Sequence, residues 1–143
     1  MLSRYAIVLG AVFLVALGGA GGEGKTDLDR IQGAWKGTRL EVESKVAPGE
    51  FIEKCKYVFK GNVLTFFEED KQVGKASFVL EPTKMPKAID ITPTEGQDKG
   101  KTMYGIYRIE GDTLSICIGE ERPNDFRAVG KAGLIQFKRG DSK

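Results

Sequence analysis

The 143-residue sequence predicts an all-β fold, an antiparallel up-and-down barrel of about eight strands with a short N-terminal helix, preceded by a signal peptide. Three observations carry this prediction. The chain has the length of one domain. From Gly33 onward, apolar and polar residues alternate with a period of two. Gly, Asn, Asp and Pro interrupt the alternation at short intervals, which is typical of strands joined in sequence by tight turns.

Residues 1–20 have the composition of a signal peptide. A basic start ends at Arg4, residues 5–17 are apolar, and the segment closes on the small residues Gly18, Gly19 and Ala20. We therefore expect cleavage after Ala20 and export to the periplasm or the extracellular space. The apolar run is shorter than the roughly 20 residues that span a bilayer. A retained anchor is the alternative, and we expect no stable membrane insertion after cleavage.

Residues 21–32 are interpreted as a linker and a short helix. Residues 19–26 match the phosphate-loop pattern GxxxxGK[ST]. A phosphate loop also needs a parallel sheet, a helix directed at the phosphates and an acidic strand end, none of which the sequence predicts. A flexible glycine-rich linker explains the same residues. Thr26 is a suitable N-cap for the helix, and Asp27 and Asp29 favour its positive end.

Residues 33–140 are assigned to the barrel. The sequences Lys60-Gly61-Asn62 and Glu110-Gly111-Asp112 favour tight hairpins, since Gly, Asn and Asp tolerate positive φ angles. Sequential hairpins that close on themselves leave no free edge, which favours a barrel over the alternative, a two-sheet sandwich. The predicted strands are 34–43, 53–60, 63–68, 73–80, 88–92, 102–109, 113–118 and 134–138.

The alternation places a set of apolar side chains inside the barrel, where they either line a cavity or fill the interior completely. With a cavity, the domain would bind a small apolar molecule, which is the function we expect. With a filled interior, it would be a cell-envelope interaction or scaffold domain without a ligand. The expected lining residues are Tyr57, Phe59, Phe66, Phe78, Ile91, Ile116 and Phe137.

Residues 119–132 form a long polar connection, and long loops at a barrel mouth commonly carry binding residues. Arg122 and Arg127 are the expected ligand contacts of this mouth loop, with Asp125 beside them. A surface loop without a binding role is the alternative. Asp90 is expected to be an exposed surface acid. The acidic residues 68–70 lack the spaced oxygen ligands of a calcium loop, so no metal site is expected.

The two cysteines fall on opposite faces of their strands. Cys55 has the inward parity and Cys117 the outward parity, which argues against a bridge between them despite the oxidising compartment expected after export. The chain has no CxxC spacing and no histidine beside either thiol. We therefore expect a buried, unreactive Cys55.

The composition excludes several functional classes. The chain contains no histidine, the commonest general base and nitrogen ligand for metals. Because the alternation also places nearly every charge outside the barrel, neither an enzyme nor a cofactor is expected. Arg4 is the one basic residue of the leader, so the mature domain carries 21 of the 22 basic residues against 20 acidic ones. Because the basic residues do not form a stripe, nucleic acid is not an expected partner. Protein partners are left open.

A family resemblance comes from motifs spread over residues 28–139. Gly33-Ala34-Trp35 resembles the GxW motif of lipocalins and fatty-acid-binding proteins, with Ala34 where the usual motif has Thr. The wider set resembles the lipocalin-like domain family of unknown function that is abundant in planctomycete bacteria. The resemblance implies an exported domain with a lipocalin-like barrel, and a structural contact between Arg139 and Trp35. The other matching segments are 28–36, 86–91, 105–107, 111–114, Cys117 and 122–123.

Overall fold

The structure, a computed structural model, describes residues 25–140. The predicted signal peptide, residues 1–20, and the first four residues of the predicted linker lie outside this range. The described residues divide between two compact units, with residues 25–30 in the first and residues 31–140 in the second. Within the described range, no helix has the length and apolar character needed to cross a membrane.

The predicted N-terminal helix is present as α1 (Asp27–Ile31). Thr26 caps it through a reciprocal pair of hydrogen bonds. The backbone N–H of Asp29 donates to Thr26 Oγ1 at 3.2 Å, and the N–H of Thr26 donates to Asp29 Oδ2 at 3.2 Å. This arrangement satisfies N–H groups that have no partner inside a helix.

All eight predicted strands are present, each with bounds within two residues of the prediction. The predicted turns also form, and Gly61 and Gly111 adopt φ angles of 60° and 59°. The structure adds a two-residue strand and a one-turn helix between the first two predicted strands. The strands are β1 (Gly33–Val42), β2 (Lys45–Val46), β3 (Cys55–Lys60), β4 (Val63–Glu68), β5 (Lys71–Glu81), β6 (Ala88–Pro93), β7 (Met103–Glu110), β8 (Thr113–Gly119) and β9 (Gly133–Arg139), and the helix is α2 (Gly49–Ile52).

Every strand pairs antiparallel with its neighbours, and eight of them close into a barrel. The long strand β1 makes the closure, because it pairs with β3 through its first residues and with β9 along most of its length. The β1–β9 register shifts between Gly37 and Arg39, which marks a bulge. The predicted up-and-down barrel is therefore confirmed, and the sandwich alternative is not what forms.

Gly37 also positions α2. A Cβ atom at Gly37 would lie 2.8 Å from both the Cγ1 atom and the carbonyl oxygen of Ile52, so only glycine allows this close approach. Ile52 is the buried residue of α2. Neither α2 nor β2 was predicted, because both are too short to show a periodic pattern.

Candidate functional site

The seven residues predicted to line the barrel belong to one apolar cluster inside it. Five of them are buried, and Tyr57 and Phe66 are partly buried against the others. The alternation along the strands correctly placed all seven on the inner face. The strands therefore bring together the side chains that would meet an apolar ligand, and the spacing between them decides whether a ligand could enter.

The aromatic rings of this interior touch one another. The ring centroid of Tyr57 lies 4.7 Å from that of Phe66 and 4.6 Å from that of Phe137. Phe59 and Phe78 meet edge to face at 5.1 Å. These are the separations of aromatic pairs in contact. Between these pairs the rings leave no room for another molecule.

Two pockets lie at the surface of the described residues. One of about 610 Å³ is lined by the β8–β9 connection. A second, of about 480 Å³, is bordered by residues such as Lys36, Glu53 and Cys55. None of the seven interior residues borders either pocket. These two pockets are therefore separate from the predicted lining of the barrel.

Trp35 and Arg139 meet where β1 pairs with the end of β9. The Arg139 guanidinium lies 4.0 Å from the indole centroid, so the contact inferred from the family resemblance is present. Arg139 also donates a hydrogen bond to the carbonyl of Gln32 at 2.8 Å, and Trp35 Nε1 donates to the carbonyl of Ile31 at 2.8 Å. The cation–π contact therefore links the start of β1 to the end of β9.

The β8–β9 connection, residues 120–132, crosses the outer wall of the barrel, and we call it the strap. Arg122 fixes its first part. Its Nη2 lies 2.8 Å from Asp90 Oδ1 in a close ion pair. Its Nη1 donates to the carbonyl of Gly105 at 2.9 Å, and the guanidinium lies 5.4 Å from the ring of Tyr104. Arg122 is thus engaged with the barrel wall.

Asp90 is not the exposed acid that the sequence predicted. Its side chain is 26 % exposed and is paired with Arg122. The prediction was right that Asp90 points away from Ile89 and Ile91, which pack inside the barrel. It was wrong on exposure, because the strap returns over this part of the outer face from a distant position in the sequence.

Arg127, the second arginine predicted to contact a ligand, is largely exposed and pairs with Asp125 at 3.2 Å. Both Arg122 and Arg127 border the 610 Å³ pocket of the strap. The other charged residues of that pocket are Glu120, Glu121, Asp125 and Lys131, so three acidic side chains balance three basic ones. A pocket in which both arginines already have carboxylate partners offers no concentrated positive charge for an anion.

The strap covers a second apolar cluster on the outside of the barrel, which we call the outer cluster. It contains Ile106, Cys117, Ala128 and Leu134, with Phe126 and Ala132 packed against it. The sequence analysis missed this cluster. Its signal was present, since Ile106, Cys117 and Leu134 are apolar residues at outward positions of three neighbouring strands.

The two thiols are free. Cys117 lies on the outer face, as predicted, but is fully buried beneath the strap. Cys55 is only half-buried, and the prediction of a buried thiol is wrong because it opens β3, at the rim of the barrel. Burial raises the pKa of both thiols, and the charges of Glu68 and Asp125 add to the effect at Cys55 and Cys117 respectively. Protonated thiols are weak nucleophiles.

No group of three or more Cys, Asp or Glu side chains in residues 25–140 is placed to hold a metal ion. The acidic residues at the β4–β5 turn border a shallow surface pocket with Lys71. No family model, curated protein or solved structure matches the chain.

Proposed function

We propose that the chain is an exported, non-enzymatic domain with a filled barrel, which acts by contacting a partner in the cell envelope through its outer surface. The aromatic packing carries this proposal, since the Tyr57 ring lies 4.6 Å from Phe137 and 4.7 Å from Phe66. A carrier of apolar molecules needs a cavity of roughly 300 Å³ or more. Rings in mutual contact argue against such a cavity.

Export is proposed from the signal-peptide composition of residues 1–20 and the small residues before the expected cleavage after Ala20. Membership in the lipocalin-like family of planctomycete bacteria is proposed from the spread of motifs. The contact between Arg139 and Trp35 supports it, because the resemblance implied that contact. A non-enzymatic role is supported by thiols whose pKa values burial raises, and by strap arginines that already pair with carboxylates.

Binding of a small apolar molecule is the second candidate. The observation in its favour is that Tyr57 and Phe66 keep part of their surface exposed while packing against the interior cluster. A ligand could then insert beside these two rings if they moved apart. Side-chain rearrangement of that kind is common when ligands bind.

Mass spectrometry of protein recovered from the periplasm of a bacterial host tests both parts of the proposal. The full chain is expressed, and the denatured mass should equal residues 21–143. The native mass should show no added apolar molecule. A retained leader would overturn export with cleavage after Ala20, and a stoichiometric co-purified apolar ligand would overturn the filled-barrel function. Ala20→Leu is the matched control, because removal of the small residue should block cleavage.

A further inference from the structure

The outer cluster lies between the barrel wall and the strap that covers it. Ile106, Cys117 and Leu134 stand opposite one another on β7, β8 and β9. All three are buried although they face away from the barrel interior. The strap residues Phe126, Ala128 and Ala132 provide the cover. The inner and outer clusters share no residue, so loss of the cover would leave the packing of the barrel interior intact.

The strap also stands apart from the strand ladders. Its backbone hydrogen bonds at Arg127, Val129 and Ala132 run to carbonyl oxygens within the strap itself. The β8–β9 ladder pairs Thr113 to Ile118 with Gly133 to Lys138 and uses no residue of the strap. Removing the strap from the wall would therefore break no pairing between strands. Segments outside the strand ladders open at lower free energy than the paired core strands of a protein.

The Cys117 thiol donates a hydrogen bond to the carbonyl of Arg127 in the strap at 3.4 Å, and three further attachments hold the strap on the wall. Arg122 binds Asp90 and the carbonyl of Gly105, as described above. The Phe126 ring lies 4.4 Å from the guanidinium of Arg108. Ser44 donates from its backbone N–H at 2.9 Å and from its hydroxyl at 3.2 Å to the carbonyl of Ala128. Arg122, Phe126 and Ser44 each keep part of their surface exposed, so water can reach their contacts when the strap leaves.

We propose that the strap is a hinged cover that opens as a unit while the barrel stays folded, and that its opening exposes the Cys117 thiol and the apolar row beside it. Gly119 and Gly133 flank the strap and provide the points about which it turns. The closed form hides a free thiol and an apolar surface, and the open form presents both. This motion is independent of what the protein binds.

Thiol labelling of the full chain carrying Cys55→Ser tests the proposal, since Cys117 is then its one cysteine. In an aromatic disulfide reagent, the Cys117 thiolate forms a mixed disulfide and releases one coloured aromatic thiolate. We expect labelling in native buffer at a rate that changes little with low urea. We also expect Arg122→Ala to raise the rate about tenfold or more, a factor that corresponds to about 1.4 kcal/mol. Lys84→Ala, which removes a surface ion pair with Glu81, is the control and should leave the rate unchanged.

Two results would overturn the hinged cover. One is a labelling rate that rises with urea in proportion to the global unfolding constant, which would mean that Cys117 is exposed by unfolding of the barrel. The other is equal acceleration by Arg122→Ala and Lys84→Ala. Hydrogen exchange is a second measurement. It uses the unsubstituted protein and so does not depend on whether a variant folds. The amide of Ser44 should exchange far faster than the paired amides of β8, and equal rates would contradict the proposal.

Discussion

Truncating Phe137 to alanine should strongly destabilise the barrel if the interior is filled. Phe137 is 1 % exposed and its ring contacts Tyr57 at 4.6 Å between centroids. Its partner on β1 is Gly37, which has no side chain that could move into the vacated space. Burial of an aromatic side chain removes roughly 150–250 Å² from water, or roughly 4–6 kcal/mol at about 25 cal/mol per Å² as an upper bound.

Measured Phe→Ala substitutions in packed cores cost about 3–5 kcal/mol, and we expect a loss in that range for Phe137→Ala. In a domain of this size, such a loss lowers the midpoint of thermal unfolding by roughly 10–25 °C. Urea denaturation followed by the fluorescence of the single tryptophan, Trp35, gives the free energy of unfolding. Val79→Ala is the control, because Val79 is 59 % exposed and its truncation should change stability by less than about 0.5 kcal/mol.

A loss below about 1 kcal/mol for Phe137→Ala would refute the reasoning. It would mean that the ring borders space that is already open, so that its removal costs few contacts. The carrier function would then become the better account of the interior.

Three further predictions use the same unfolding assay. Gly37→Ala should lower the free energy of unfolding by about 1–3 kcal/mol, because the new Cβ would lie 2.8 Å from Ile52. Gly49→Ala, whose Cβ would have its nearest neighbour at 3.9 Å, is the control and should be close to neutral. Equal effects of the two substitutions would contradict the packing of α2. Arg139→Met should cost about 2 kcal/mol through loss of the cation–π contact and the hydrogen bond to a backbone carbonyl, and no loss would remove its structural role. Burial, with a smaller contribution from the charge of the Cys55 thiolate, raises the pKa of Tyr57. The unfolded chain therefore releases this proton first, and stability should fall as pH rises above about 10. Tyr57→Phe should make the fall shallower, and an unchanged slope would contradict the burial.

The barrel could be predicted because its determinants are local. Alternation fixes which side chains face inward along each strand, and the glycine turns at Gly61 and Gly111 join neighbouring strands. The contact between Arg139 and Trp35 came from the family resemblance, because no local pattern connects residues so far apart in sequence. Once β1 closes against β9, the two residues become direct partners in the ladder.

The strap could not be predicted because its contacts are few and distant in sequence. Arg122 and Asp90 are separated by 31 intervening residues, and an ion pair between them produces no periodic pattern in the sequence. The polar composition of the strap suggested a mouth loop, while its buried face depends on two small residues and Phe126. The apolar residues at outward positions of β7, β8 and β9 were the available signal that something covers them.

Titration with 1-anilinonaphthalene-8-sulfonate, a probe that fluoresces when it enters an apolar cavity, tests the filled barrel most directly. The native protein should give no saturable fluorescence increase, because its interior rings are in contact. The Lys84→Ala protein should behave in the same way. Saturable one-to-one binding that a long-chain fatty acid displaces, and that Phe59→Trp removes by filling the interior, would contradict the filled barrel.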